Sequence, residues 1–542
     1  MIMLNEQLSQ VLTGLSPYTG EWTAEQAAHL LRRTGFGLLP EEVHQLAGMD
    51  IEAAVDLLLE ERPAPPGPIN YNFEQDPNVG LGEEWDGQPL IAGVNVNGYR
   101  VQSLRAWVYD SIRNERLSAR ERMAEFWLNH FAIAGGGHGQ IRYDYQKLIR
   151  EFAFGNFKEL MKRVTVDTAM LVFLNGNQNV AASPNENYAR ELLELFTVGK
   201  GAQIAPGDYS NYTEGDVRAL ARALTGWRTR FYFSTNPANQ PETVFIANLH
   251  DATDKQLSYH FNNDVISDGG AEEYKAVIDR IFQQPAVARY ICGKLYRHFV
   301  YYKIDETEEN EVIAEMARIF EENDFEIRPV LRALFLSEHF YDTENQGPMI
   351  KNPLQLVAGK MRTFDHAHQF DDLPLDSKRR LFIYYYYRAA VMDMDYFNPP
   401  SVAGWEAYYQ APSYSRIWIN SSTLQERTRF SRTMTAANGV GLGGGVRGTY
   451  DYLAWIKQLP DATDPNKLIE NINFYLLPRP LTEGQLANLK EALIPGLPDF
   501  EWTVEYGDHL ANPNDTDLTA SVHAKLRDLF RAVFALAEFQ LV

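Results

Sequence analysis

The sequence has few cysteines, no long apolar run and a deficit of positive charge. Cys292 is its only cysteine, which excludes an internal disulfide and a cysteine-based metal cluster. Apolar runs such as Ala169 to Leu174 are far shorter than the ~20 residues that span a bilayer, so we expect no membrane span. The 50 basic and 72 acidic side chains give a net charge of −22. Nucleic-acid binding requires Lys and Arg to neutralise phosphates, so we expect no nucleic-acid partner.

The common catalytic signatures are also missing. The chain contains no H-E-x-x-H, no G-x-S-x-G, no Walker loop and no C-x-x-C. A G-x-G-x-x-G string occurs at Gly443, Gly445 and Gly448, but no strand pattern precedes it, and the dinucleotide fingerprint requires a strand there. The first Lys or Arg is Arg32, so the chain shows no basic start of a signal peptide. As given, the sequence predicts a cytoplasmic protein.

Helical periodicity dominates what is present. The composition, with 45% hydrophobic and 23% charged residues, is that of a globular protein with ample sequence for a core. Thr213 and Asp216 form a capping-box pattern at the start of an apolar stripe with helical spacing. Imperfect alternation between Trp227 and Gly270 indicates a short hairpin. We therefore predict a mainly α fold: a large multi-helix globular body with long loops and at most a small β-hairpin.

The chain has one segment with the composition of a linker. Residues Pro63 to Gly98 are rich in Pro, Gly and Asn, and a patternless segment of this length in a compact domain is usually functional. We predict a long loop or lid there. The remaining pattern predicts an N-terminal extension at 1–21 and a single helical unit at 22–542. Subdomains are expected at approximately 22–230, 231–420 and 421–542.

The most ordered polar pattern lies in the predicted helix at 185–199. At about 100° per residue, Arg190, Glu191 and Glu194 lie on one side of this helix, and apolar residues fill the other. Two carboxylates one turn apart suit a metal site or a general acid/base pair, as in helical carboxylate bundles. The alternative is a solvated face on which Glu186 and Arg190 form an i, i+4 ion pair.

Two histidine positions are candidates for the same chemistry. His130 ends an amphipathic helix pattern just before the glycine-rich turn at 135–139, and His250 with Asp251 ends the irregular β-like segment. A neutral imidazole oriented by a carboxylate is the usual arrangement at a protein metal site. The alternatives are a hydrogen-bonded core histidine at the first position and a simple turn at the second.

An aromatic, proline-rich loop at 397–409 follows a run of tyrosines at 384–387. Aromatic rings with few charges nearby can stack on sugars or planar ligands, so Trp405 and Tyr408 are candidates for substrate binding. Core packing is the alternative use of both rings. A protein that binds a small molecule through the tyrosine cluster is a further hypothesis, for which the sequence has no discriminating motif.

Six strings of the sequence stand out as motifs. They are A-A-H-L-L-R-R-T-G-F-G (27–37), F-W-L-N-H-F (126–131), N-E-N-Y-A-R-E-L-L-E-L-F-T-V-G (185–199), Y-T-E-G-D-V-R-A-L-A-R-A-L-T-G-W (212–227), F-N-P-P-S-V-A-G-W (397–405) and W-I-N-S-S-T-L (418–424). With these strings in this order, the sequence resembles a large bacterial family catalogued as domain of unknown function 1800, from about Trp22 to Val542.

The resemblance implies a mostly helical bacterial protein. Many members carry export signals, so a periplasmic or exported location is the family-based alternative to the cytoplasm. Their genes often adjoin one for a sulfatase-like protein, which implies such a protein as a partner. His250, Asp251 and Lys255 resemble the family's pattern, whereas this chain has Leu128 where the family often has a second histidine before its N-H-F string.

The motifs and the resemblance together lead to two functional hypotheses. The first is a hydrolytic or oxidative enzyme with a divalent metal ion or a carboxylate and histidine acid/base site, in which Asp251 orients an imidazole and Arg190 binds an anionic substrate group. Its catalytic residues are Glu191, Glu194, His130 and Asp251; its metal ligands are His130, Glu191, Glu194 and His250; its substrate-binding residues are Arg190, Trp405 and Tyr408. The second is a non-catalytic scaffold or accessory partner of a sulfatase-like protein that acts on a surface polymer.

Overall fold

The computed structural model describes residues 14–135, 137–365 and 370–542, and α-helices are the main element within them. The helices of the first half are α1 (Ala24–Thr34), α2 (Pro40–Ala47), α3 (Ile51–Leu58), α4 (Val96–Asn114), α5 (Arg120–His130), α6 (Gly139–Glu151), α7 (Phe157–Thr165), α8 (Thr168–Phe173), α9 (Glu186–Glu191), α10 (Glu214–Ala223) and α11 (Glu273–Ile281). The helices of the second half are α12 (Pro285–Phe299), α13 (Ala314–Glu322), α14 (Ile327–Phe335), α15 (Glu338–Tyr341), α16 (Pro353–Phe364), α17 (Leu375–Ala390), α18 (Ser421–Met434), α19 (Tyr452–Ile456), α20 (Pro465–Leu476), α21 (Glu483–Leu493), α22 (Phe500–Ala511) and α23 (Thr516–Ala535). Two π-helical segments, Leu192–Thr197 and Glu308–Ile313, adjoin α9 and α13.

The strands of the described residues form four antiparallel two-stranded ribbons. They are β1 (Gln203–Ala205) with β2 (Asp208–Tyr209), β3 (Trp227–Arg230) with β4 (Glu242–Phe245), β5 (Lys255–Gln256) with β6 (Val265–Ile266), and β7 (Val440–Gly443) with β8 (Val446–Gly448). Two of the ribbons lie in the segment where the sequence predicted a short hairpin. The mainly α fold class is confirmed. None of the described helices combines the length and the apolar character needed to cross a membrane.

Helix α10 begins where its sequence signal predicts. Oγ1 of Thr213 accepts a hydrogen bond from the backbone N–H of Asp216 at 3.2 Å, and the Asp216 carboxylate accepts one from the backbone N–H of Thr213 at 2.7 Å. This reciprocal capping box satisfies backbone donors that the first helical turn leaves free. The apolar stripe that follows, including Val217 and Leu220, is fully buried.

A single cluster of buried apolar side chains runs through the described chain, from Leu15 to Phe539. The predicted subdomain boundaries near 230 and 420 stay a prediction. Of the predicted N-terminal extension, residues 1–13 lie outside the described residues. Within its remainder, the backbone N–H of Tyr18 donates to the carbonyl oxygen of Leu336 at 2.7 Å, which ties this segment to the body.

The predicted loop at Pro63 to Gly98 is ordered by its own contacts. The structure has no helix or strand between α3 and α4, and α4 begins at Val96 rather than after Gly98. The backbone N–H of Asn70 donates to the carbonyl oxygen of Glu83 at 2.8 Å. The ring of Trp85 is buried, and its Nε1–H donates to the hydroxyl of Ser103 at 2.9 Å. The loop is thus packed on α4, and its role as a lid stays a prediction.

A glycine contact joins the end of α1 to α16. Gly37 has φ = 74°, in the left-handed region that favours glycine. A Cβ atom added there would lie 2.5 Å from both the carbonyl oxygen of Gly359 and Oγ1 of Thr363. Both belong to a helix whose residues are all buried, so only glycine permits this approach.

Replacing Gly37 with alanine should lower the free energy of unfolding by about 2–5 kcal/mol, because left-handed strain and overpacking add. Urea unfolding followed by circular dichroism measures this loss. The matched control is Gly93→Ala, at φ = 77° with no atom within 4 Å of the added Cβ, where only the strain of roughly 1–2 kcal/mol applies. Equal losses in the two variants would contradict a tight contact with α16.

Candidate functional site

The motif helix at 185–199 consists of α9 and the π-helix Leu192–Thr197 that continues it. In a π-helix each amide bonds to the carbonyl five residues earlier, and such turns are frequent at functional sites. The polar side predicted from the sequence is half-buried at Arg190, Glu191 and Glu194. The helix therefore presents these side chains at the protein surface, while its other side enters the core.

Arg190 is bound to two carboxylates of the protein itself. Its guanidinium donates to both carboxylate oxygens of Glu214 at 2.8 Å and to Glu186 at 3.1 Å. These hydrogen bonds hold the pKa of Glu214 below its usual range. The two parallel bonds to Glu214 fix the angle between α9 and α10. The role of Arg190 in binding an anionic substrate group stays a prediction.

Glu191 and Glu194 interact electrostatically, as a pair one turn apart should. Burial, and then the charge of Glu194, raise the pKa of Glu191. Glu194 accepts a hydrogen bond from the hydroxyl of Tyr212 at 3.1 Å and lies 3.4 Å from Nζ of Lys200. No described residue donates a hydrogen bond to the Glu191 carboxyl, which is therefore the less constrained member of the pair.

His130 is buried against the end of the π-helix. Its Nε2 lies 3.1 Å from the carbonyl oxygen of Phe196, and its Nδ1 lies 3.0 Å from Nζ of Lys294 on α12. Because a carbonyl oxygen can only accept, Nε2 carries the hydrogen and Nδ1 accepts from the lysine. Lys294 also donates to the carbonyl oxygen of Leu195 at 3.2 Å. The two side chains thus satisfy carbonyls that a helix end leaves free.

Burial sets the protonation of this pair. It lowers the pKa of His130 well below its ordinary value, and the charge of Lys294 lowers it further. Burial, with a smaller contribution from Arg297, lowers the pKa of Lys294 to about 7. His130 is therefore neutral at physiological pH, and the group of this pair that titrates near neutrality is the lysine.

His250 lies at the start of the segment that leads to β5, and its ring is fixed on both sides. Nδ1 lies 2.9 Å from the carbonyl oxygen of Thr225, to which it must donate because that oxygen can only accept. Nε2 faces two carboxylates, 3.0 Å from Oε2 of Glu273 and 3.5 Å from Oδ1 of Asp268. The histidine side chain is only 3% exposed, whereas Asp268 is 46% exposed.

Glu273 also takes part in a fully buried ion pair. Its Oε1 lies 2.5 Å from Nζ of Lys255 on β5, and neither side chain has any exposed surface. Its Oε2 accepts a hydrogen bond from the backbone N–H of Gly269 at 3.0 Å. Removing one partner of such a pair would leave a bare charge inside the protein. The pair therefore fixes the β5–β6 ribbon against the first turn of α11.

Asp251 binds an arginine in this structure. Its carboxylate accepts from Nε of Arg222 at 2.7 Å and from the backbone N–H of Thr253 at 2.9 Å. Burial raises the pKa of Asp251, but the hydrogen bonds from Arg222 and Thr253 outweigh it and hold the pKa well below its usual range. The ring of His250 is oriented by the Thr225 carbonyl, whereas the role of Asp251 in orienting an imidazole stays a prediction.

The aromatic loop predicted to bind substrate packs against α5. Trp405 is buried, and its backbone N–H donates to the side chain of Asn129 at 2.8 Å. The hydroxyl of Tyr408 donates to Glu125 at 2.9 Å and accepts from Asn352 at 2.7 Å. These contacts are those of core packing, and a role of either ring in substrate binding stays a prediction.

A cavity of about 430 Å³ lies away from all of these residues, between the start of the 63–98 loop and α6. It is lined by Trp107, Tyr143 and Lys147 among others. Lys147 donates to Asp86 at 3.0 Å and lies 2.8 Å from Asp144, so its charge is matched within the protein. Glu60, Glu61 and Glu151 also line it, and the described residues there form no group with metal-ligand spacing.

A family model described as a protein of unknown function, DUF1800, matches residues 29–541, nearly the whole chain. The chain belongs to the DUF1800 family. The resemblance seen in the sequence strings is thereby confirmed. No curated protein and no solved structure matches the chain. The family description assigns no reaction, so the function of this DUF1800 protein has to be argued from its residues.

The residues predicted from the sequence lie in three places in this DUF1800 protein. No hydrogen bond or ion pair between described residues joins a candidate residue of one place to a candidate residue of another, although His130 is the last residue of α5. The π-helix region holds Arg190, Glu191, Glu194 and His130; the loop before β5 holds His250 and Asp251; the face of α5 holds Trp405 and Tyr408. A single site shared by the first two groups stays a prediction.

Three residues of these clusters were not among the sequence candidates. Glu273 lies 23 residues from His250, and Lys294 lies 164 residues from His130, so no local spacing links either pair. Asp268 lies in the short segment between β6 and α11, outside any strand or helix pattern. The one available signal was the family resemblance at His250 and Lys255, which marks the segment but not the carboxylates that face it.

The lowered pKa of Lys294 predicts a pH dependence of stability. Between about pH 7 and the ordinary lysine pKa of 10.5, the unfolded chain binds the proton that the folded chain has released. Stability should therefore rise with pH across this window, by at most about 1.4 kcal/mol per pH unit for this group. Urea unfolding at pH 7, 8 and 9 should show the wild type gaining stability relative to Lys294→Met.

The control for this experiment is Lys303→Met, which removes an exposed lysine. The difference in free energy of unfolding between this variant and the wild type should stay constant over the same pH range. If the free energies of unfolding of Lys294→Met and the wild type change in parallel with pH, Lys294 is protonated in the folded protein. The prediction of a buried neutral amine would then be wrong.

Proposed function

We propose that this DUF1800 protein holds a divalent metal ion between His250, Asp268 and Glu273 and uses it in hydrolysis. One ligand atom from each of the three side chains lies within 4.8 Å of the other two. Within the described part of the chain, this is the one group of histidine, cysteine and acidic residues with such spacing. Two ligands are buried and Asp268 is exposed, which gives the site a protein wall and an open side.

The observation that carries the proposal is the orientation of His250. Because Nδ1 donates to the Thr225 carbonyl, the nitrogen that faces Glu273 and Asp268 is the one that bears the lone pair in a neutral ring. In a neutral ring this lone pair is repelled by the two carboxylates, and either a proton on Nε2 or a metal ion between the three groups removes the repulsion. A metal ion satisfies all three groups, and a backbone carbonyl behind the ring is a usual partner of a ligating histidine.

The charges of the cluster also favour a cation. Lys255 neutralises one of the two carboxylates, which leaves one negative charge beside the Nε2 lone pair. One imidazole and two carboxylates suit Zn²⁺, Mn²⁺ or Fe²⁺. Three protein ligands leave a position for water, and a bound ion would supply hydroxide near neutral pH. The open side at Asp268 is where a substrate would reach that position.

Among the motif carboxylates, Glu191 is the one we propose for proton transfer, as a group of the π-helix region that no described contact joins to the metal centre. A general acid or base works best when its pKa lies near the operating pH, and burial together with Glu194 shifts the Glu191 pKa upward. Its carboxyl is half-buried and has no described hydrogen-bond donor, so a substrate or water can reach it.

Metal binding is tested by elemental analysis and by calorimetric titration of the EDTA-treated protein with Zn²⁺ and Mn²⁺. We expect about one equivalent of ion per chain and a rise of several degrees in the melting temperature, since an ion that binds only the folded state stabilises it. Asp268→Asn should weaken binding by at least the roughly 10–100-fold that losing a residue which only supports a metal ligand costs. That variant should fold, because the amide oxygen can still accept from the backbone N–H of Gly270, as Oδ1 does at 2.9 Å.

The matched control is Asp264→Asn, just before β6, which removes a half-exposed carboxylate paired with Arg280 at 2.9 Å. It makes the same charge change and should leave the affinity unchanged. Failure of the wild type to bind any of these ions, or equal affinities for the two variants and the wild type, would overturn the metal centre.

The second candidate function is the non-catalytic scaffold. It is favoured by the saturation of the motif residues, since the side chains of Arg190, Asp251 and Tyr408 each bond to partners within the protein. In that hypothesis the chain accompanies a sulfatase-like protein at a surface polymer. A protein without bound metal whose melting temperature is unchanged by chelators would favour the scaffold over the enzyme.

A further inference from the structure

A small cavity lies between the end of α1, α16 and the last residues of the chain. Its volume is about 50 Å³, and three cationic side chains line it: Arg32, Lys351 and Lys360. Gln355 and Thr363 add neutral hydrogen-bonding groups. No aspartate or glutamate is among the residues that line it. A lining of cations and neutral donors without an acid is what an anion site presents.

The cations around this cavity are satisfied only by neutral oxygens. Arg32 donates to the carbonyl oxygen of Phe474, Lys351 to that of Phe539 at 2.9 Å, and Lys360 to the hydroxyl of Ser431 at 2.6 Å. Within the described part of the chain, none of these three side chains forms an ion pair. Each therefore keeps a full positive charge to be matched, or gives up its proton.

A fourth cation, Arg427, lies next to this group. Arg427 donates to Oε1 of Gln540 at 3.1 Å and to the carbonyl oxygen of Lys351 at 2.7 Å. Its Nε is buried without a hydrogen-bond partner, and the arginine is only 1% exposed. The ring of Phe534 lies 4.1 Å from Nζ of Lys360, and such a contact offsets only part of a buried charge.

Several other buried cations of this protein are paired with carboxylates. Arg150 meets Glu121 at 2.7 Å, and Lys255 meets Glu273 at 2.5 Å, with all four side chains nearly inaccessible. A single buried cation such as Arg33 instead donates to backbone oxygens. A buried charge without a counter-charge is strongly destabilising. The cluster at α1 and α16 differs because four such cations lie together, and this requires an explanation from outside the side chains themselves.

We propose that this cavity binds one small oxyanion, a carboxylate or a tetrahedral anion of the phosphate or sulfate type. A volume of about 50 Å³ has room for roughly three to five waters, and thus for one such anion. Guanidinium and ammonium groups are the standard partners of these oxygens, and the hydroxyl and amide of the lining can complete the shell. Glycines 35, 37 and 359 form part of its wall.

The charge states of the two lysines support the same inference. Burial, with the charges of Arg32 and Arg427, lowers the pKa of Lys351 to about 7. Burial, with Lys351 and Arg427, lowers the pKa of Lys360 well below its ordinary value. The three cations thus repel one another, and an anion in the cavity between them would favour the charged form of both lysines.

Two sources can supply the oxyanion that this cavity would bind. One is an anion from solution, and the other is the terminal carboxylate of a chain that ends at Val542, a residue that also lines the cavity. The carbonyl oxygen of Val542 already accepts from Nη1 of Arg33 at 2.9 Å. The experiment therefore uses the 542-residue chain and a second chain that continues with three added residues, which replace this carboxylate with an amide.

Thermal unfolding and calorimetry with phosphate, sulfate and acetate at constant ionic strength test the proposal. A rise in melting temperature of the 542-residue chain identifies a dissolved anion as the ligand. A rise confined to the extended chain identifies the terminal carboxylate as the occupant. No response from either chain overturns the proposal, and this outcome is independent of the metal centre at His250.

Variants locate the response in the cavity. Lys360→Met and Lys351→Met remove a buried charge, so both should fold with a melting temperature equal to or above that of the wild type without added anion. The anion-dependent rise should fall at least fivefold in both. Lys147→Met, in the cavity where the lysine is paired with Asp86, is the control and should keep the full rise. An unchanged rise in the first two variants would place the anion elsewhere and overturn the proposal.

Discussion

Buried charge must be matched, and in this fold the matching holds distant helices together. Arg150 on α6 meets Glu121 on α5 through two hydrogen bonds of 2.7 and 2.8 Å, and Arg362 on α16 meets Glu42 on α2 at 2.5 Å. Apolar burial drives these helices together but does not specify which helix packs against which. The ion pairs specify it, because any other arrangement would leave a charge inside the protein without a counter-charge.

Two clusters differ from these pairs, and they differ in opposite senses. Around His250, two carboxylates and an imidazole nitrogen face one lysine, which is the arrangement that we propose to hold a metal ion. Around Lys360, several cations lie together with no carboxylate among the described side chains that line the cavity, which is the arrangement that we propose to bind an anion. Both proposals rest on the same principle, that a buried charge needs a counter-charge.

Local pattern was sufficient for the fold and only partly for the site. The capping box at Thr213 and the stripe after it depend on neighbours in sequence, so the start of α10 could be predicted. The partners of His250 could not, because Glu273 approaches it through the β5–β6 ribbon, which only the folded chain defines. The π-helix has no sequence period of its own, so the Phe196 carbonyl that accepts from His130 was equally beyond prediction.

The most direct test of the account is a crystal structure with anomalous diffraction at the zinc edge, from protein grown with Zn²⁺ at neutral pH. The account predicts one strong peak about 2.0–2.2 Å from Nε2 of His250 and from an oxygen of both Asp268 and Glu273. Density without this peak, with Nε2 still 3.0 Å from Glu273, would show that a proton holds the cluster and would contradict the metal centre.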